Sequence, residues 1–179
     1  YTINATTTKI ASPVGGGIYL EVPKGKNAGV VNVTIVGAAR SPLFQATSFK
    51  QTSLSEWQTS ERTQPGPWAD FQSDKFMFQV PRSWIYAYAD PVTNMANWDK
   101  SIDAITDLMG FPNVRGKETM YDQVDIQLRA SVYAPGYPAC NASYNPSTAY
   151  NGNHAHYLLT GPQNAPEYEF HEAGHGFFF

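Results

Sequence analysis

Cysteine is almost absent from this chain, with Cys140 the one thiol in 179 residues. No internal disulfide can form, so Cys140 is either a buried free thiol or the partner of a cysteine beyond Phe179. Charge is sparse and nearly balanced, at 15% charged residues and a formal net charge of −3. There is no Lys/Arg-rich run, which argues against nucleic acid as a partner. No apolar run approaches the ~20 residues of a membrane span. The Gly15-Gly16-Gly17 run lacks the lysine and following helix of a phosphate loop. No signal peptide is present, and Tyr1 rather than Met opens the sequence, as in a mature or excised segment.

What remains is enough for a packed core: 42% hydrophobic and 14% aromatic residues, more apolar than disordered chains. The length suits about one domain, or two small ones. Three acceptor sequons occur, at Asn4-Ala5-Thr6, Asn32-Val33-Thr34 and Asn141-Ala142-Ser143, and they favour a secreted or extracellular protein. Asn145-Pro146-Ser147 fails because proline blocks it.

The first half reads as β-structure. Strand-like segments fall at Thr2 to Thr8, Ile18 to Val22 and Val30 to Val36, with glycine and proline between them. In the last of these Val31, Val33 and Ile35 share one face, and Asn32 and Thr34 point outward. Periodicity is weak from Gly37 to Gln72, where Trp57 and Trp68 read as anchors of a satellite core. Phe76 to Val80 alternates again and stops at Pro81. The expectation is a β-sandwich-like portion over residues 1–88.

Residues 89–179 read differently. Asp90 is a helix N-cap, Pro91 the first helical position, and Gly110 the residue past the end. Between them Met95, Trp98, Ile102, Ile105 and Met109 form one apolar stripe. Val124, Ile126 and Leu128 then alternate with Asp125, Gln127 and Arg129 as a half-buried strand. A loop rich in Asn, Ser and Tyr follows to about Asn153, and a last helix starts near Pro166. His154 and His156 fall in that loop without a third local ligand, so they are not read as a metal site.

The last helix carries the chemistry. His171-Glu172-Ala173-Gly174-His175 reads His-Glu-x-x-His. On a helix, i and i+4 share one face, so His171 and His175 can reach one Zn2+ ion. Glu172 lies to the side, where a carboxylate can take the proton of a metal-activated water. Zinc needs a third protein ligand. The extended motif with a third histidine is ruled out, because its glycine position holds Phe178. The third ligand is therefore expected from a C-terminal segment or a second chain. The apolar end Phe177-Phe178-Phe179 fits the front part of a longer protein.

Taken together these segments resemble the enhancin-type zinc metallopeptidases, peptidase family M-sixty, whose members attack mucins and other glycoproteins. The resemblance runs through Gly17 to Leu20, Val31 to Val36, Ser41 to Phe44 and Gly66 to Phe71. It continues through Val80-Pro81, Asp90-Pro91, Val124 to Gln127 and Gly136-Tyr137-Pro138 to the His-Glu-x-Gly-His motif. Order carries it more than any one segment. It implies an α+β protein in which the β-rich portion leads into the front part of a zincin-type domain using a downstream glutamate as third ligand. It also implies zinc ligation by His171 and His175, with Glu172 as general base. Many members have Asn after the second histidine and Gln two residues on, where this chain has Gly176 and Phe178. The function expected is endopeptidase action on extracellular glycoproteins such as mucins. The alternative is a non-catalytic extracellular glycoprotein module that keeps the fold for adhesion or assembly. Val124 to Leu128 is the expected sheet edge for an extended substrate.

Overall fold

The computed structural model describes residues 1–13, 15–22, 25–27, 29–110, 119–125, 139–141, 156–164 and 170. The chain divides into two compact units, Tyr1–Gly37 and Ala38–Phe179.

The first unit corrects the strand expectations. None of its described residues forms a β-strand. Val31, Val33 and Ile35 are 62%, 47% and 48% exposed, so they do not make a buried face. Alternation predicts a strand only where a second strand completes the ladder and something covers the apolar face. Hydrogen bonds in this unit include Gly15 N–H to the Ser12 carbonyl, Gly29 N–H to Asn27 Oδ1, and Tyr1 hydroxyl to the Ala11 carbonyl. Gly15 and Gly16 take φ of 72° and 121°, breaking the extended chain where the sequence places a turn.

The second unit is built on one mixed sheet. Its strands are β1 (Leu43–Ala46), β2 (Trp68–Ser73), β3 (Phe76–Pro81), β4 (Met120–Asp125) and β5 (Ala139–Asn141), in that spatial order. β2 and β3 form an antiparallel hairpin, and the other three pairings are parallel. The helices are α1 (Leu54–Thr59), α2 (Val92–Leu108) and α3 (His156–Thr160). An α+β class is thus observed. The β-sandwich-like expectation is corrected, because the described strands make a single sheet. β3 pairs with β4 across position 88, joining residues on either side of it.

Register places Phe44, Phe71 and Phe78 side by side on one face of β1, β2 and β3. α1 delivers Trp57 onto them, edge-on to Phe44 at 5.9 Å and tilted against Phe71 at 5.2 Å. Trp57 is therefore in the main core and not a satellite of it. Its indole N–H is satisfied by the Tyr88 carbonyl at 2.9 Å. α1 itself starts at a capping box, Ser53-Leu54-Ser55-Glu56, with the Ser53 hydroxyl accepting from the Glu56 N–H.

α2 covers the neighbouring part of the same face. Met95, Trp98 and Ile102 are buried, Ile105 packs at the margin, and Trp98 lies 5.0 Å from Phe76. The stripe and the glycine stop agree with the sequence, while the helix starts one residue later than expected, at Val92 with Pro91 as N-cap. The Asp90 carboxylate accepts from the Val92 N–H, and Gly110 follows with φ 74°. Across the β2–β3 turn, the Ser73 hydroxyl accepts from the Lys75 and Phe76 N–H groups and donates to the Asp99 carboxylate of α2. Lys75 pairs with Asp103 one turn later. On the opposite face Gln79 donates to the buried Asp70 carboxylate at 2.9 Å.

Candidate metal centre

The segment running towards His171 is described at α3, at the 3-10 turn Pro162–Asn164, and at Phe170. α3 has five residues, far too few to persist alone. Its stability comes from contact. Leu158 and Leu159 are buried in the main core. The Leu158 carbonyl accepts two hydrogen bonds from α2, from Asn94 Nδ2 at 2.8 Å and from Trp98 Nε1 at 3.0 Å.

The helix then ends abruptly. Gly161 adopts φ 95° and returns its N–H to the Tyr157 carbonyl at 2.8 Å. A side chain there would bring Cβ to 2.9 Å from Asn94 Oδ1. Gln163 and Asn164 amides both donate to the Thr160 carbonyl at 2.9 Å, covering the open C-terminal end. Tyr88 completes this corner. Burial of its hydroxyl, which has no hydrogen-bond partner among the described residues, pushes its pKa well above the ordinary tyrosine value.

His171, Glu172 and His175 lie outside the described residues, as does His154. Phe170, which immediately precedes the motif, is helical and half-buried. Among the described residues no group of three His, Cys, Asp or Glu side chains is placed to hold a metal ion. The residue types of the motif nevertheless suit zinc: two imidazoles four residues apart in sequence, with a carboxylate between them.

The remaining expectations fall as follows. Asn4 and Asn32 are solvent-exposed, and Asn141 sits in β5 opposite Asp125. His156 opens α3, where a loop is expected, because the buried Leu158-Leu159 pair and the Gly161 stop make a helix there. β4 is not an edge: it starts at Met120, earlier than expected, and lies between β3 and β5. The edge assignment to Val124 is thereby corrected, while residues 126–128 lie outside the described set. The contribution of Asn94 goes unnoticed in the sequence, since a polar residue in a helix's first turn reads as surface.

Residues 37–177 match the family of peptidase M60, enhancin and enhancin-like. The chain belongs to that family. It is also 30% identical over 138 residues to TRPM8 channel-associated factor 2 of Mus musculus, covering 76% of this chain and 14% of that protein. The TRPM8 channel-associated factor homolog of Xenopus laevis is 31% identical over 124 residues, 69% of this chain and 13% of the relative. TRPM8 channel-associated factor 1 of Bos taurus is 28% identical over 137 residues, covering 76% of this chain and 14% of that protein. The chain thus spans about one seventh of the length of these curated relatives. No solved structure matches it. No helix among the described residues is long and apolar enough to cross a membrane.

Proposed function

We propose that this chain carries the front part of a zinc-dependent endopeptidase that acts on extracellular glycoproteins such as mucins. The observation behind this reading is the His-Glu-x-x-His motif at 171–175, inside a family match that extends to residue 177. In this reading residues 37–177 belong to a zincin-type catalytic domain. His171 and His175 would hold the ion, and a downstream segment or a second chain supplies the third ligand. When bound, zinc supplies Lewis-acid polarisation and lowers the pKa of water towards ~7. Glu172 accepts the proton of the attacking water and passes it to the leaving amine. The sequons at Asn4, Asn32 and Asn141 support a secreted or extracellular setting.

The test is cleavage of a mucin-type glycoprotein by the zinc-loaded protein. A chelator should abolish turnover. Glu172→Gln should lower it by roughly 10²–10⁴-fold, the usual contribution of a general base, with zinc retained. His171→Ala should lose the zinc. A Glu172→Gln protein that cleaves as fast as the parent removes the mechanism.

A second reading draws on the relatives, which are named for association with a channel. Here the domain keeps the peptidase fold for adhesion or assembly and turns nothing over. Binding to a glycoprotein without cleavage, unaffected by Glu172→Gln, would favour it.

A further inference from the structure

We infer that one buried water molecule binds at the corner where α2, α3 and residues 85–89 meet, held by Tyr88, Asn94 and Thr160. Three side-chain oxygens of these residues are buried without a hydrogen-bond partner: the Tyr88 hydroxyl, Asn94 Oδ1 and the Thr160 hydroxyl. Folded proteins rarely leave such groups unpaired, because each gives up its bonds to solvent and gains none in return. Asn94 is the most enclosed of the three residues, at 7% exposure. The water site is independent of the metal role proposed for His171 and His175.

Two of the three groups are pinned where they stand. Asn94 Nδ2 donates to the Leu158 carbonyl at 2.8 Å, which fixes the amide and leaves Oδ1 as an acceptor alone. That oxygen borders Gly161, where an added Cβ would come within 2.9 Å of it. Tyr88 is held by its ring, which meets Phe71 edge-on at 5.6 Å, and by its carbonyl, which accepts from the Trp57 indole. The Asn94 side chain lies close enough to act on the Tyr88 hydroxyl, yet the two close no hydrogen bond. A direct bond would require one of these anchors to give. Thr160 ends α3 immediately before Gly161, and its carbonyl already accepts from the Gln163 and Asn164 amides.

The chemistry of the three groups selects the ligand. Asn94 Oδ1 only accepts, so the bound group must donate, and an anion is ruled out. Each hydroxyl also carries a hydrogen that needs an acceptor, a requirement an ammonium ion fails. Water meets both, and a buried water commonly makes about three hydrogen bonds to groups otherwise unpaired. The partners come from α2, from α3 and from the segment before α2, so one water joins elements far apart in sequence.

The test uses the full chain with Tyr88→Phe, Thr160→Val and the double variant, each of which removes a hydroxyl and keeps the side-chain shape. Magnetic relaxation dispersion of the solvent counts long-lived internal waters, and thermal melts give Tm. We expect each single variant to lose one long-lived water relative to the parent and to melt about 2–4 °C lower. The double variant should lose that same single water, and its Tm should fall by less than the two separate shifts combined. Removing a hydroxyl that had no partner would instead leave Tm unchanged or raise it, and that result overturns the inference. An unchanged water count in Tyr88→Phe overturns it as well, and so do strictly additive losses, which would assign the two hydroxyls to separate sites.

Discussion

Phe71→Ala should cost the second unit more than any change at its surface. Phe71 is fully buried and lies at the centre of an aromatic cluster. Its ring stacks on Phe78 at 4.9 Å with planes 16° apart, and meets Trp57 at 5.2 Å, Tyr88 at 5.6 Å and Phe44 at 6.4 Å. Truncating a buried phenylalanine costs about 3–5 kcal/mol, transfer and cavity together. The upper half of that range applies, because four ring contacts go at once and each good aromatic pair adds about 0.5–1.5 kcal/mol. The cavity cannot collapse easily, since its walls belong to α1, to β1 and β3, and to the turn before α2. Against a typical domain stability of about 5–15 kcal/mol, a loss near 4 lowers Tm by roughly 8–16 °C at this size. Urea unfolding followed by tryptophan fluorescence measures it, because Trp57 sits against the altered ring. Phe71→Leu should recover about half the loss. A measured loss under about 1.5 kcal/mol with an unchanged m-value would refute this account of the core.

Other consequences follow from single positions. Gly66→Ala places a Cβ 2.6 Å from the Ser41 Cα and 2.8 Å from the Arg40 carbonyl. Backbone must move, and thermal melting should show a loss of about 1–3 kcal/mol. Tyr88 has a pKa raised by burial, so the folded form keeps its proton where the unfolded chain has lost it. Stability should hold below the unfolded tyrosine value, near pH ~10, and fall as pH rises above it. Tyr88→Phe should flatten that alkaline fall in melts taken from pH 8 to 12. In native material from a secretory source, mass spectrometry should find a glycan on at least one of Asn4, Asn32 and Asn141. All three unmodified would count against the extracellular setting.

The sequence was legible wherever local rules and burial agreed. In α2 an Asp-Pro start, a glycine stop and an apolar stripe all point the same way, and the helix stands within one residue of where they place it. β3 shows the same agreement, as alternation closed by a proline. α1 was readable too, since Ser53 and Glu56 make a capping box just ahead of Trp57. The sparse periodicity around it hid that signal. Val30 to Val36 shows the reverse case. Its alternation is as regular as that of β3, yet its apolar side chains are exposed. Period two says which residues would share a face; a second strand and a covering layer decide whether that face is buried.

The candidate site divides along the same line. Two imidazoles at i and i+4 are a local statement, complete within five residues, so metal chemistry can be read from sequence without knowing the fold. What anchors α3, on the way to that motif, is not local. The Asn94–Leu158 bond spans 64 positions and joins a helix's first turn to a five-residue helix. Nothing in the spacing of either segment announces it. Asn94 shows its role only when its burial and its partner are seen together. Trp98 illustrates the point from the other side: its place in the stripe predicts core packing, which is correct. The same indole also donates to the Leu158 carbonyl, and that second role is visible only in three dimensions. A motif's residue types are thus legible from neighbours in the chain, and the anchoring of α3 only from neighbours in space. Substitutions at Asn94 should therefore speed hydrogen exchange in α3 while the β2–β3 amides stay protected.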